Sequence, residues 1–359
     1  IHIWMGRLDE AEASARRLIA LHDEHLRRCG RRLPIAAFGY ARLSEVLLQR
    51  NQLPQALAAA QESRALAEPW QQMDALFESY THLARAFHAG GDAASALALL
   101  HRLEYLIRDR SLWLTSMTQM EQARLYLASP QDPSGIERAY SWAAAHPLPA
   151  EGKLVFRDHA LYLTHTLLML HEAATDRQSA YNGRGLIDRL LPLLEASGAF
   201  GLALQASVLG ALLDAALGEV DSALGRLLMC LRQAEPQGYV RLFVDHGAPM
   251  YSLLTRVPAT EPTYAYAREL LGALASPSPP TVSPARPAQA SLVEPLSDRE
   301  LDVLRLLATA LTAAEIADEL CVATSTVRSH TKAIYGKLGV HTRLEAIDAA
   351  RGLGLIPSL

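Results

Sequence analysis

The sequence is poor in cysteine, in aromatic residues and in net charge. Its three cysteines, Cys29, Cys230 and Cys321, are odd in number and far apart. They make neither a disulfide framework nor a zinc set, and a reducing, cytoplasmic setting is expected. Aromatic residues make up only 6% of the 359 positions, while alanine and leucine dominate. Both are strong helix formers. β-Branched residues are sparse and no long alternating run occurs, so an all-α chain is expected. No apolar run approaches the ~20 residues of a membrane span, and no membrane partner is expected. The formal net charge of −4 does not announce a nucleic-acid binder, although a whole-chain value can conceal a local patch.

Signatures of catalysis are missing as well. There is no nucleophile elbow, no HExxH and no CxxC. A phosphate-binding G-x-x-x-x-G-K-[ST] loop is also lacking: Gly152-Lys153 is followed by Leu154, and Gly336-Lys337 by Leu338. No enzyme activity, catalytic residue or cofactor is expected in this chain. His22 and His25 lie one turn apart without a third ligand, which reads as a solvated helix face rather than a metal site. Trp4, Trp70, Trp113 and Trp142 could line a sugar-binding surface, but packing between helices is the simpler role. The opening IHIWMGRLDEAEASARRLIA already reads as helix and carries no signal peptide. The chain reads as the later part of a longer protein.

What the sequence does contain is a repeat. GRLDEAEA (6–13), NQLPQALA (51–58), GDAASALA (91–98) and GEVDSALG (218–225) share a turn residue, a short variable stretch and an Ala-rich helix start. DPSGIERAY (132–140) is a weaker copy. The first three begin 45 and 40 residues apart, Gly91 and Asp132 are separated by 41, and the 86 from Asp132 to Gly218 leave room for two units. The second of those is irregular around ATDRQSAYNGRG (174–185). Such a period suits stacked helical pairs, none of which can bury its apolar face alone. A tetratricopeptide-like solenoid is expected, with an irregular helical bundle as the competing reading. It spans 1–275 and ends at SPSPPTVSPARPAQASLVEP (276–295), which holds six prolines. Proline removes backbone donors and blocks helix, so 276–293 is assigned as a linker.

The last segment, 294–359, carries three capping boxes: Ser297 to Glu300, Thr312 to Glu315 and Thr342 to Glu345. Between the second and third lies a helix from about Ser325 to Leu338, set off by the short turn Cys321-Val322-Ala323. Two helices across so short a turn fit a DNA-binding helix-turn-helix. Val327, Thr331, Ile334 and Leu338 recur at helical spacing and form an inward face. Arg328, Ser329 and Lys332 project from the other side. From Leu320 through Leu344 there is no acidic residue, whereas Arg328, Lys332, Lys337 and Arg343 are basic. From Pro295 on, seven basic residues face eight acidic ones. The segment is thus nearly neutral but locally positive, which suffices to meet phosphates.

Residues 294–356 resemble a LuxR-type helix-turn-helix domain through LSDRELDVLRLLA, EIADEL, STVRSH, IYGKLGV and TRLEAI, in order. The resemblance implies that the third helix enters the major groove of double-stranded DNA, with Arg328, Ser329 and Lys332 facing the bases. Arg and Lys can donate to guanine O6 and N7. Thr326, His330, Lys337 and Arg343 are implied as backbone-side contacts or supports. For Thr326 a helix-start cap is an equal alternative, and for His330 packing is. The last helix of such domains commonly pairs two copies, which would bring Ala346 to Ala350 toward a partner in a homodimer on DNA. Alanine departs from the family pattern at four places: Ala310, the pair Ala313-Ala314, Ala323 and Ala333. Ala323 replaces a capping Ser, so the cap is expected to pass to Thr324, and the loss of such a hydroxyl costs about 1 kcal/mol.

Upstream, EPQGYVRLFVDHGAPMYSLL (235–254) is similar to the segment that joins solenoid to linker in MalT-like, large ATP-binding LuxR regulators. That likeness implies a regulator of transcription, most simply an activator, that contacts RNA polymerase. A small-molecule or protein effector would bind the solenoid. ATP would bind only in a domain preceding Ile1. The alternative is a protein-interaction scaffold whose terminal domain binds DNA weakly or not at all.

Overall fold

The computed structural model describes residues 2–129, 132–148, 153–275, 298–307, 312, 316–317, 323–338, 340, 343, 346–347 and 350. Among the described residues there is helix and turn but no strand, as the composition predicts. The chain divides into two compact units, Ile1–Thr281 and Val282–Leu359. The linker expected at 276–293 lies outside the described residues.

The first unit is a row of helical hairpins: α1 (Leu8–Cys29) with α2 (Ala36–Gln49), α3 (Leu53–Trp70) with α4 (Met73–Ala89), α5 (Ala93–Ile107) with α6 (Leu112–Leu127), α7 (Pro133–Ala145) with α8 (His159–Glu172), and α9 (Arg177–Ala196) with α10 (Phe200–Ala216). Then follow α11 (Val220–Ala234), the short α12 (Arg241–Val244), α13 (Gly247–Leu254) and α14 (Tyr264–Ala275). Odd helices from α1 to α11 start at 8, 53, 93, 133, 177 and 220, so the period is 40–45 residues. The irregular stretch at 174–185 therefore holds a regular repeat, opened by Asp176, whose carboxylate accepts from Gln178 and Ser179 amides.

The turn residues of the repeat signature have a common conformation. Gly6, Asn51, Gly91 and Gly218 all adopt positive φ, between 57° and 89°. Glycine enters that left-handed region freely and asparagine with little penalty, so few sequences can make the turn. The weaker copy begins differently. Asp132 caps α7 by accepting from the Ser134 amide at 3.1 Å, and Pro133 opens the helix where its missing N–H is harmless.

Each hairpin buries leucine and alanine against the next. Leu66, Leu76, Leu103 and Ile107 join neighbouring pairs in one cluster, and Leu163, Ile187, Leu190 and Leu213 do so further along. The even helices α2, α4, α6, α8 and α10 also touch in sequence and form a second row. That row carries a polar ladder. Arg42 on α2 bonds Glu45 at 2.7 Å and reaches Glu78 on α4. His82 stands 3.1 Å from Glu78 and 3.6 Å from Glu45. Arg85 grips Glu121 on α6 with two bonds of 2.7 and 3.1 Å. Arg124 bonds Glu121 at 3.3 Å and Thr164 on α8 at 2.7 Å. A single line of charge therefore ties four hairpins.

Two details differ from the sequence reading. His22 is buried, not solvated, because its Nδ1 accepts the Leu33 amide at 3.0 Å and closes the first hairpin. Of the tryptophans, Trp142 is core and stacks on His146, and Trp70 meets Phe38 edge-on. Trp113 is 58% exposed and Trp4 46% exposed. Cys230 is buried, which pushes its thiol up to about 12, while Cys29 is exposed.

The ladder makes the unit acid-sensitive. Burial disfavours the Glu121 carboxylate, but Arg85 and Arg124 outweigh it and hold the group at about 2. Burial likewise opposes Glu78, and His82 and then Arg42 bring it to about 2. Both folded values lie below the ordinary 4.5, so their stabilisation is present above that pH and is lost as pH falls toward 2. The urea midpoint of the first unit is expected to fall across this window. Glu121→Gln leaves Arg85 and Arg124 without their counter-charge, should cost about 3 kcal/mol at pH 7, and should flatten the acid dependence. Urea titrations of both proteins at pH 7, 5 and 3 check this.

Candidate nucleic-acid interface

The second unit has a small apolar core. α15 (Asp298–Leu307) contributes Val303, Leu304 and Leu307, and α16 (Thr324–Leu338) contributes Val327 and Ile334. Ile316, Ala317 and Ala350 complete the cluster, with Tyr335 and Ile347 packed at its edge. The inward face expected of α16 is thus present at Val327 and Ile334. Thr331 is half-buried and bonds the Val327 carbonyl at 2.8 Å. The Leu338 side chain lies outside the described residues.

The start of α16 is displaced from the expected cap. The helix begins at Thr324, which puts Ala323 in the cap position. The Ala323 carbonyl accepts from the amides of Thr326 at 2.9 Å and Val327 at 3.3 Å. Thr326 is therefore inside the first turn, and its side chain is exposed. Of the three capping boxes, Ser297, Glu315, Thr342 and Glu345 lie outside the described residues, while the Thr312 carbonyl accepts the Ile316 amide at 2.9 Å.

The outer face of α16 is polar and free of acid. Ser325, Ser329, Lys332 and Gly336 follow one another at +4, +3 and +4, and all four are exposed. The Ser329 hydroxyl donates back to the Ser325 carbonyl at 3.1 Å, which leaves its oxygen able to accept. His330 is half-buried beside this face. Arg328 belongs to the helix, three positions after Ser325 and four before Lys332, but its side chain lies outside the described residues. No Asp or Glu occurs anywhere in α16, so a phosphate approaching this face meets no like charge from it.

The remaining basic candidates do a different job. Lys337 pairs with Glu300 on α15 at 2.9 Å, and both side chains are largely buried. Arg343 donates from Nε to the Leu307 carbonyl at 2.9 Å, at the end of α15. Both tie the helices of the unit together. Ala346 and Ala350 are fully buried in this unit, so neither is available to face a partner copy. Sequence reasoning took Glu300 only as part of a capping box and missed its pairing with a lysine 37 positions away. Among the described residues no group of His, Cys, Asp or Glu is arranged to hold a metal, and no helix is long and apolar enough to cross a membrane.

A family model for the MalT-like TPR region matches residues 1–260. The chain belongs to that family. A second model, for bacterial regulatory proteins of the luxR family, matches residues 294–350. The MalT-like chain therefore ends in a LuxR-family helix-turn-helix domain. The chain is 47% identical over 62 residues to the HTH-type transcriptional activator RamA of Corynebacterium glutamicum. It is 47% identical over 66 residues to the Fimbriae Z protein of Escherichia coli, and 42% over 64 residues to the transcriptional regulatory protein DesR of Bacillus subtilis. These matches cover 17–18% of this chain and 22–32% of the relatives.

The ion pair and the exposed lysine separate two roles within one helix. Lys337→Ala removes the ion pair to the buried Glu300 and should lower the melting temperature of the second unit, at a cost of about 1–3 kcal/mol. Lys332→Ala should change the stability by no more than about 0.5 kcal/mol, about 2–4 °C in that temperature, as exposed substitutions do. Calorimetry on the full chain reads both.

Proposed function

We propose that this chain is a sequence-specific, DNA-binding regulator of transcription that reads the major groove with α16. The observation that carries the reading is the exposed, acid-free face of that helix, with Ser325, Thr326, Ser329 and Lys332 on it. An α-helix fits the major groove, where lysine and arginine donate to guanine and hydroxyls serve either base. Arg328 and Lys332 are the assigned readers with Ser329 between them. Thr326 and His330 take the flanking phosphates. Lys337 and Arg343 act as supports.

The chain acts as an activator, a role named for the relative RamA, and contacts RNA polymerase while bound to DNA. It pairs as a homodimer on DNA through a surface other than Ala346 and Ala350, which its own core uses. The helical-repeat unit receives a small-molecule or protein effector, since solenoids offer extended concave surfaces for such partners. ATP, where the whole protein uses it, binds outside this sequence.

Selection from random duplexes with the full chain should enrich one motif. Arg328→Ala and Lys332→Ala should each weaken binding to that motif by about 1–3 kcal/mol, roughly 5- to 150-fold, and relax its sequence at one position. Affinity should fall linearly in the logarithm of salt concentration. Failure to enrich any motif, or unchanged specific binding in the double variant, overturns the groove assignment.

A further inference from the structure

The first and last parts of the repeat unit meet. Five bonds cross between residues about 190 or more apart in sequence. The Val240 amide donates to the Gln49 carbonyl at 2.7 Å, and the Gly201 amide to the Trp4 carbonyl at 2.7 Å. Arg50 donates to the Gln237 carbonyl at 3.3 Å, and the Gln237 side chain accepts the Asp9 amide at 3.3 Å. Arg241 reaches Asn51 at 3.3 Å. Arg50 is the centre of the seam, since it also pairs with Glu12 at 2.6 Å and with Asp9. Leu8, Ala11 and Val46 complete it by joining the apolar cluster of Leu204, Val208, Tyr239 and Phe243.

We propose that this seam is a clasp that opens and closes as a unit while the repeat array stays folded. It joins the first hairpin and the turn before it to α10 and to 235–246, the segment that leads into α13 and α14. Three observations support it. In a stacked array each hairpin leans on its neighbours alone, so a contact between the ends can be lost without removing any neighbour's support. The seam is also poorly satisfied. Arg241 Nε and Gln49 Oε1 are both buried at it without a hydrogen-bond partner among the described residues, and each such atom costs about 1–3 kcal/mol. Closure thus carries a penalty that opening relieves.

The third observation is Gly201. It lies in the first turn of α10 with ordinary helical backbone, so α10 itself has no need of glycine. Alanine there would favour the helix. A Cβ at this position, however, would stand 2.3 Å from the Ile3 carbonyl oxygen and 2.8 Å from the Gly6 nitrogen. The glycine gives up helix stability and permits closure. Closure is therefore a separate requirement written into the sequence, independent of the stacking of repeats.

Hydrogen exchange on the full chain, resolved to single amides, tests the clasp. The Gly201 and Val240 amides sit on different elements and donate across the seam. In the native chain both should show one common protection factor, at least about tenfold below those of the Leu83 and Ala123 amides inside α4 and α6. Gly201→Ala should speed Val240 at least about tenfold more and leave Leu83 and Ala123 within about twofold. Arg50→Ala should do the same without touching α10. Different protection factors at Gly201 and Val240, protection equal to that of Leu83, a Val240 amide unmoved by Gly201→Ala, or loss of Leu83 protection in both variants overturns it.

Discussion

Every hairpin in the first 260 residues has two apolar sides and no partner of its own for either. All the larger architecture follows from that constraint. A buried leucine contributes about 1.5–3 kcal/mol, and each hairpin brings several. The ladder from Arg42 to Thr164 runs along the same stack but acts differently. Taking charges out of water offsets most of their mutual attraction, so its net gain is small. Its removal is another matter, because Glu121 serves Arg85 and Arg124 together. The apolar stack holds the array, and the ladder makes any half-broken version of it costly.

The terminal unit solves a different problem with about sixty residues. Its core is small, and its charge is balanced overall. Four basic residues fall in the acid-free stretch, yet two of them are used internally: Lys337 holds Glu300 and Arg343 holds the Leu307 carbonyl. A count of positive charge therefore overstates what faces outward. The polar face of α16 rests on the exposed Lys332, on hydroxyls at Ser325, Thr326 and Ser329, and on the absence of any acid. That composition suits hydrogen-bond readout as much as charge neutralisation.

Local features were legible in the sequence. The left-handed turns at Gly6, Asn51, Gly91 and Gly218 admit few residue types, so the repeat showed itself at those points. The inward spacing of Val327 and Ile334 needed only the helical period. Contacts at long range left no such trace. Nothing near His22 announces that Leu33 will turn its amide onto the imidazole, and nothing near Lys337 announces Glu300. Trp113 shows the converse, since an aromatic residue at the start of a hairpin's second helix gives no sign of whether a neighbour will cover it. Ala346 and Ala350 misled for a related reason. A small residue at helical spacing fits a partner's helix or its own core equally well, and here the core takes it.

The segment 235–246 shows how a local motif can depend on the whole array. Its likeness to a joining segment was visible as sequence, but its role depends on where Gln49 to Asn51 have travelled. Four hairpins and α11 separate the two ends, and the rise and turn of each unit add. The present number of units brings the Val240 amide to the Gln49 carbonyl. A hairpin more or fewer would leave every internal interface intact and still separate these groups by roughly a helix-packing distance of 8–10 Å, too far for any hydrogen bond. Stacking alone places no limit on repeat number. The meeting of the ends does, and it turns an array of arbitrary length into one of fixed count.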